Sequence, residues 1–276
     1  MDTRRLQEAI APLQPDMKRQ LCYREQIVKW NPYSAKNLAL CYEFRTGGER
    51  RSLQVIPDAC LDFLFRFDSR GLQAPAAVVS GVRTSPISLE LEPDTVYFGF
   101  KPYSSKGMRN LACRWAELGE QRVALEDLTP CGQVLARLNQ AGSFCERVRM
   151  VRDFALEYLA DENYQPDFVE FSELKLCKFM GNMKIESLAD YTGYTGRYCR
   201  ERFKNDLGIS IKRYSNILRV QNAVRMLSRE DAPELADMVF ENGYFDQSHM
   251  NREFRLYIGE SPTRYQRNIL CPAAAV

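Results

Sequence analysis

The stretch from Ile185 to Arg267 contains one unit twice, and this duplication restricts the fold more than any other feature of the 276 residues. Leu188-Ala189 recurs as Leu235-Ala236, and Gly193-Tyr194 as Gly243-Tyr244. Phe203, Gly208, Ser210 and Tyr214 recur as Phe254, Gly259, Ser261 and Tyr265. The offset is 47 for the first pair, 50 for the second and 51 for the last four, so the second half of each unit aligns without gaps. Two units cannot form a solenoid, which needs about three to bury a continuous core. The repeat predicts a duplicated module with its own small core.

Each copy reads as helix, tight turn, helix. In the first, Glu186 to Tyr191 forms a short amphipathic helix closed by Gly193, a residue that accepts the left-handed conformation. Thr195 can cap the next helix, which carries Cys199 and Phe203 and stops at Gly208. In the second, Glu234 to Glu241 ends near Gly243, and Asp246 is the N-cap of a helix ending before Gly259. This helix-turn-helix arrangement can present its second helix to a DNA major groove, or it can simply pack as a helical hairpin. Cys199 with Phe203 and Met250 with Phe254 stand four residues apart and are expected to face each motif's core.

Between the copies, residues 210–227 place Tyr214, Ile217, Leu218, Val224 and Leu227 on one helical face, with Arg213, Arg219 and Arg225 on others. A helix of that length spans roughly 27 Å, a spacing suited to holding two recognition helices about one DNA turn, roughly 34 Å, apart.

On these residues the chain resembles the DNA-binding domain of AraC/XylS-type transcription activators. The resemblance rests on Ser187-Leu-Ala-Asp-Tyr-Thr-Gly-Tyr194, Arg202-Phe-Lys-Asn-Asp-Leu-Gly-Ile-Ser210, Arg219-Val-Gln-Asn-Ala-Val-Arg-Met-Leu227, Gly243-Tyr-Phe-Asp-Gln-Ser-His249 and the run from Phe254 to Tyr265. It implies seven helices in two helix-turn-helix motifs (about 185–207 and 234–258) joined by a linking helix (about 210–227). Met238-Val239-Phe240 departs from the family's usual Ile-Ala with bulkier side chains. Carried over position by position, base contacts fall to Arg197, Arg200 and Glu201 in the first motif and to Gln247, Ser248, Asn251 and Arg252 in the second. Arg suits guanine, Glu cytosine, and Gln and Asn adenine; for Arg200 and Glu201 the alternative is a surface ion pair worth little. Arg202 and Lys204 are assigned to phosphates, contacts that position without specifying sequence, and His249 to a phosphate or to packing. The partner implied is double-stranded DNA, with activation through RNA polymerase.

The charge distribution agrees. The net charge is only +2, but residues 197–219 hold seven basic residues against two acidic ones, a local excess of the kind that neutralises phosphates. Nine cysteines without a Cys-x-x-Cys pair argue against structural zinc and fit a reducing compartment. A single histidine leaves little for His-based catalysis or metal binding. No apolar run approaches the roughly 18 residues of a membrane span, and the start Met1-Asp-Thr-Arg-Arg-Leu lacks a signal peptide's apolar segment. The expectation is a soluble, cytoplasmic protein with no cofactor, no metal and no catalytic residue.

Ahead of the repeats the pattern changes. Leu6, Ile10, Leu13 and Met17 suggest an initial helix interrupted by Pro12 and Pro15. Six strand-like runs follow, at residues 38–44, 52–56, 60–67, 77–80, 87–91 and 95–100, divided by turn signals such as Thr46-Gly-Gly48 and Glu92-Pro-Asp94. Short strands at this spacing predict an antiparallel barrel or sandwich. Helical spacing resumes with Val134 to Leu138 and with Val148, Val151, Phe154 and Leu159. The fold class is therefore α+β: a β-rich domain with flanking helices over 1–162, a linker over 163–172, and an all-α domain over 173–276. Ile56-Pro-Asp-Ala-Cys-Leu-Asp-Phe-Leu-Phe65, Ser80-Gly-Val-Arg-Thr84, Phe98-Gly-Phe-Lys-Pro102 and Val123-Ala-Leu-Glu-Asp-Leu128 resemble a loosely cupin-like sensor domain, departing at Pro102-Tyr103 where Pro-Gly is usual. That resemblance names no ligand; a small-molecule effector and a homodimer both stay open.

Two other classes compete with this reading. A thiol-based redox or repair protein fused to a DNA-binding domain would need a reactive Cys, and Cys60 lies in an apolar run that favours packing. A partner-docking regulator without a small ligand would use its N-terminal half as an interface. Tyr97, Phe98, Phe100 and Tyr103 could line a pocket there or fill the core.

Overall fold

The β-rich half is built on a strand whose every residue but the last is buried, Leu38 to Phe44, flanked on both faces by apolar layers. A computed structural model describes residues 11–229 and 231–270; Leu6 and Ile10 lie outside them. Helix α1 (Pro15–Gln20) opens the described chain. The strands are β1 (Arg24–Lys29), β2 (Leu38–Arg45), β3 (Arg51–Val55), β4 (Asp62–Asp68), β5 (Ala76–Ser80), β6 (Ile87–Leu91), β7 (Thr95–Pro102) and β8 (Arg122–Ala124). Six form an antiparallel sheet in the order β1-β2-β7-β4-β5-β8, and β3 pairs with β6 in a second, two-stranded sheet.

Period-two alternation divides the large sheet into two apolar faces. Cys41, Phe63, Phe65, Phe98 and Phe100 point to one side, where α2 (Gly132–Gln140), α3 (Phe144–Phe154) and a π-helical turn (Ala155–Leu159) cover them. Leu40, Tyr42, Phe44, Leu64 and Tyr97 point to the other, against Leu53, Leu89 and Leu91 of the β3–β6 pair. Gly99 stands opposite Tyr42 in the β2–β7 register, and a Cβ there would lie 2.0 Å from the Tyr42 ring. Only glycine lets that ring lie across β7. The candidate pocket aromatics Tyr97, Phe98, Phe100 and Tyr103 are all buried in these two cores. Cys60 is buried too; desolvation first, then the Asp58 carboxylate, pushes its thiol well above the usual range. A packed thiol held in its neutral form is a poor nucleophile.

Among the described residues, seven helices make up the other half: α4 (Phe168–Lys178), α5 (Ile185–Thr192), α6 (Gly196–Leu207), α7 (Ile211–Leu227), α8 (Leu235–Glu241), α9 (Gln247–Ile258) and α10 (Pro262–Leu270). Helix α4 begins inside the stretch 163–172, with the Asp167 side chain accepting from the N–H groups of Val169 and Glu170. The two helical hairpins do not keep separate cores. Leu188, Cys199 and Phe203 of the first and Met238, Met250 and Phe254 of the second belong to one cluster, joined through Ile217, Val220, Ala223 and Val224 of α7. A helix of 17 residues, about 25 Å long, thus serves as the shared wall of both motifs.

The halves are in contact through polar groups. Lys36, in the β1–β2 connection, donates to Glu173 Oε1 at 3.1 Å and to Tyr214 Oη at 3.0 Å. Glu170 accepts from the Ser34 hydroxyl and from the Ala35 N–H. Gln221 of α7 accepts from the Leu13 N–H and donates to the Pro57 carbonyl.

Candidate nucleic-acid interface

Each recognition helix is fixed at both ends by the residues its sequence supplies. Thr195 Oγ1 accepts from the Tyr198 N–H at the start of α6, and Asp246 Oδ1 accepts from the His249 N–H at the start of α9. Gly208 and Gly259 end the two helices with φ of 73° and 92°, a conformation other residues adopt at a cost. Burial of Cys199, Phe203 and Leu207 on α6, and of Met250, Phe254 and Tyr257 on α9, turns the opposite faces to solvent.

On α6 the solvent face carries Arg197, Arg200, Glu201 and Lys204. Arg197 Nε and Glu201 Oε1 are 2.9 Å apart in a pair exposed enough to contribute little to stability. Neither Arg200 nor Lys204 makes an ion pair among the described residues, which leaves two cations open to an anionic partner. Arg202 lies on the flank facing the β-rich half. It is 3.5 Å from Asp167 and 3.3 Å from Asp206, and Lys106 bridges the same two carboxylates at 2.8 Å each. Burial alone would raise the Asp167 carboxyl; the Lys106 hydrogen bond and the N–H groups of Glu170 and Val169 bring it below its ordinary value.

On α9, Gln247, Ser248 and Arg252 are exposed and Asn251 is half-buried. His249 is turned inward. Its Nε2 is 3.4 Å from Glu253, and its ring meets Tyr244 edge-on and lies against Phe245. Glu253, which carried no special signal in the sequence, is buried and accepts from Asn216 at 2.6 Å and from Arg219 at 3.2 Å.

That network withdraws Arg219 from the basic excess that residues 197–219 offer to phosphates. Arg219 is spent on Glu253 and Asn216 and its guanidinium covers the Tyr244 ring at 5.0 Å. Arg225 donates to the Ala11 carbonyl, and Arg213 Nη1 lies 3.4 Å from the Thr84 hydroxyl. The helix that separates the motifs uses its arginines chiefly to hold protein to protein. An amphipathic wheel shows the faces of a helix but not what each face meets.

A cleft of about 930 Å³ opens between the motifs, lined among others by Lys184, Tyr191, Lys212, Arg219 and Phe245. Two large aromatics of the second motif project into solvent, Phe240 at 80% and Phe245 at 92% exposure. The only sequence sign of the second was the change of offset from 50 to 51, which marks a turn one residue longer.

Residues 188–268 match the family model described as a helix-turn-helix domain. The probable transcription factor PqrA of Proteus vulgaris is 24% identical over 111 residues, covering 40% of this chain and 89% of that protein. The C-terminal domain of AraT, a response regulator from Geobacillus stearothermophilus, is 23% identical, with a TM-score of 0.36 over 40% of this chain and 93% of that domain. ToxT from Vibrio cholerae, in a structure with unsaturated fatty acid bound, is 11% identical, with a TM-score of 0.41 over 83% of this chain and 95% of that one.

Proposed function

We propose, on the premise that residues 188–268 are an AraC-type helix-turn-helix domain and the chain a DNA-binding transcription regulator, that α6 and α9 read two successive major grooves on one face of a duplex. The observation that supports this most is the pairing of two capped helices on one shared core, each with a polar face left to solvent. Arg197, Arg200 and Glu201 in the first motif and Gln247, Ser248, Asn251 and Arg252 in the second are assigned to base edges. Lys204 is the phosphate contact that needs no rearrangement. Arg202 and His249 could reach phosphates only by leaving Asp206 and Glu253.

The β-rich half is assigned the regulatory role. Lys106 holds Asp206 at the C-terminal end of α6, and Gly208 approaches so closely that a Cβ there would lie 2.6 Å from the Ala116 carbonyl. A shift in this half is thereby passed to the first recognition helix. An effector, a homodimer contact and a contact with RNA polymerase belong to the same proposal, as do a cytoplasmic location and the lack of an enzymatic step. Among the described residues no helix is long and apolar enough to cross a membrane. The space between the two sheets, beside Asp58, Asp62 and Lys101, is about 30 Å³, room for roughly one water. An effector larger than that must bind elsewhere or open the sandwich; thermal shift of the chain with a metabolite panel tests for one.

The test of DNA reading is selection of the full chain against a randomised duplex pool at two salt concentrations. Two short enriched blocks about one turn apart are expected; enrichment of nothing, with salt-sensitive retention alone, would reduce the chain to a non-specific binder. On the selected duplex, Arg200→Ala is expected to relax discrimination at one base pair, costing about 1–3 kcal/mol. Lys204→Ala is expected to weaken all duplexes alike and to flatten the salt dependence by about one phosphate's worth. Equal losses on selected and random DNA for Arg200→Ala would move that residue to the phosphate class.

A further inference from the structure

We propose that Phe245 is a specificity-determining residue, packing its ring on the 5-methyl group of one thymine where α9 enters the major groove; the inference rests on the DNA-reading function proposed above. The two motifs differ in turn length. In the first motif only Tyr194 separates Gly193 from the helix cap Thr195, whereas in the second Tyr244 and Phe245 separate Gly243 from the cap Asp246. Tyr244 is 5% exposed and fills the core. Phe245 is the additional residue, and at 92% exposure it is the most exposed large hydrophobic side chain among those described.

The segment that carries the ring is anchored although the ring itself is exposed. Its backbone is fixed on both sides: the Tyr244 N–H donates to the Val239 carbonyl at 2.9 Å, and Asp246 caps α9. The ring stacks on the His249 imidazole, centroids 5.7 Å apart and planes 25° apart. That imidazole is seated in turn on Tyr244 at 5.4 Å and beside Glu253. An aromatic on an anchored backbone therefore stands immediately before the helix cap, at the end by which a recognition helix approaches base edges. Ser248, three residues on, is exposed as well.

Chemistry selects the contact. Phenylalanine has no donor for a phosphate and no polar atom for a base edge, so polar readout is closed to it. The groove offers one apolar group, the thymine methyl, and an apolar side chain against it distinguishes that base from cytosine. The first motif has no counterpart residue in its shorter turn, so the effect is confined to the half-site read by α9.

The test uses the full chain and a duplex that the wild-type chain itself selects from a random pool. Each thymine is replaced singly by deoxyuridine, which removes the methyl group and leaves base pairing intact. Wild type is expected to lose about fourfold in affinity at one thymine, the worth of a buried methyl group. Phe245→Ala is expected to bind the parent duplex at least fourfold more weakly and to be indifferent to deoxyuridine at that position, while keeping any other sensitivity of the profile. Phe245→Leu, which keeps an apolar group, should retain part of the discrimination. Because the side chain is exposed, both variants should melt with the wild type. A Phe245→Ala chain with unchanged affinity, or with the wild-type deoxyuridine profile, overturns the inference. Unchanged DNA binding with lost transcription in a reporter overturns it too, and assigns the ring to a protein partner. Failure of the wild-type chain to select any duplex instead overturns the DNA-reading function beneath it.

Discussion

Lys36→Met is expected to destabilise the chain by about 3–5 kcal/mol, the usual cost of removing one partner from a buried ion pair. Side-chain exposure is 1% for Lys36 and 2% for Glu173, whose carboxylate also receives the Ser104 and Tyr214 hydroxyls. Without the ammonium, Glu173 must stay charged and unpaired, take up a proton, or draw in water, and each choice costs free energy. The two residues are 137 positions apart in sequence and belong to opposite halves. Loss of the pair should therefore also loosen the docking of the halves: a single urea transition in the wild type is expected to divide in two. The double variant Lys36→Met with Glu173→Leu removes both charges and should recover most of the loss. Urea midpoints by circular dichroism decide the matter. A single-variant loss below about 1 kcal/mol would mean that Glu173 finds water easily, and that the pair sets geometry without sustaining the interface.

Residues whose burial followed from periodicity could be read directly from the sequence. Cys199 with Phe203 and Met250 with Phe254 are fully buried at their four-residue spacing, and β6 occupies Ile87–Leu91 as its alternation predicts. The caps Thr195 and Asp246 also stand where their residue types place them. The two edge strands carry no hydropathy signal, for a physical reason. Arg24-Glu-Gln-Ile-Val-Lys29 exposes all but one residue, and Arg122-Val-Ala124 has only three residues; edges carry charge or stay short because their free backbone groups invite aggregation. The buried charges were equally invisible. Lys36, Glu43, Lys101, Arg147 and Glu173 look like surface residues in any hydropathy pattern, and only the tertiary fold brings each to its partner. The same is true of Arg219, which counts toward the basic excess over 197–219 and whose neighbours make it a tie between α7 and α9.

Phe254→Ala should distinguish one shared core from two. Phe254 is fully buried, packs edge-on against Tyr265 at 5.5 Å, and belongs to the cluster that also contains Phe203. Truncation of a buried phenylalanine to alanine costs about 3–5 kcal/mol through lost transfer energy and the cavity left behind, a large part of the 5–15 kcal/mol that holds a typical domain folded. If each motif folded on its own, the damage would stay in the second: α9 would be lost, and the chain would still select the single DNA block read by α6. The geometry of α7 argues otherwise. Ile217, Val220, Ala223 and Val224 are at most 1% exposed and lie in the core common to both motifs, so a cavity under α9 weakens the wall on which α6 also rests. The expected result is loss of both blocks together in duplex selection, with Phe203→Ala giving the same outcome from the other side. Retention of the α6 block in Phe254→Ala, at a temperature where the α9 block is gone, would show two separately stable motifs and a linking helix that only spaces them.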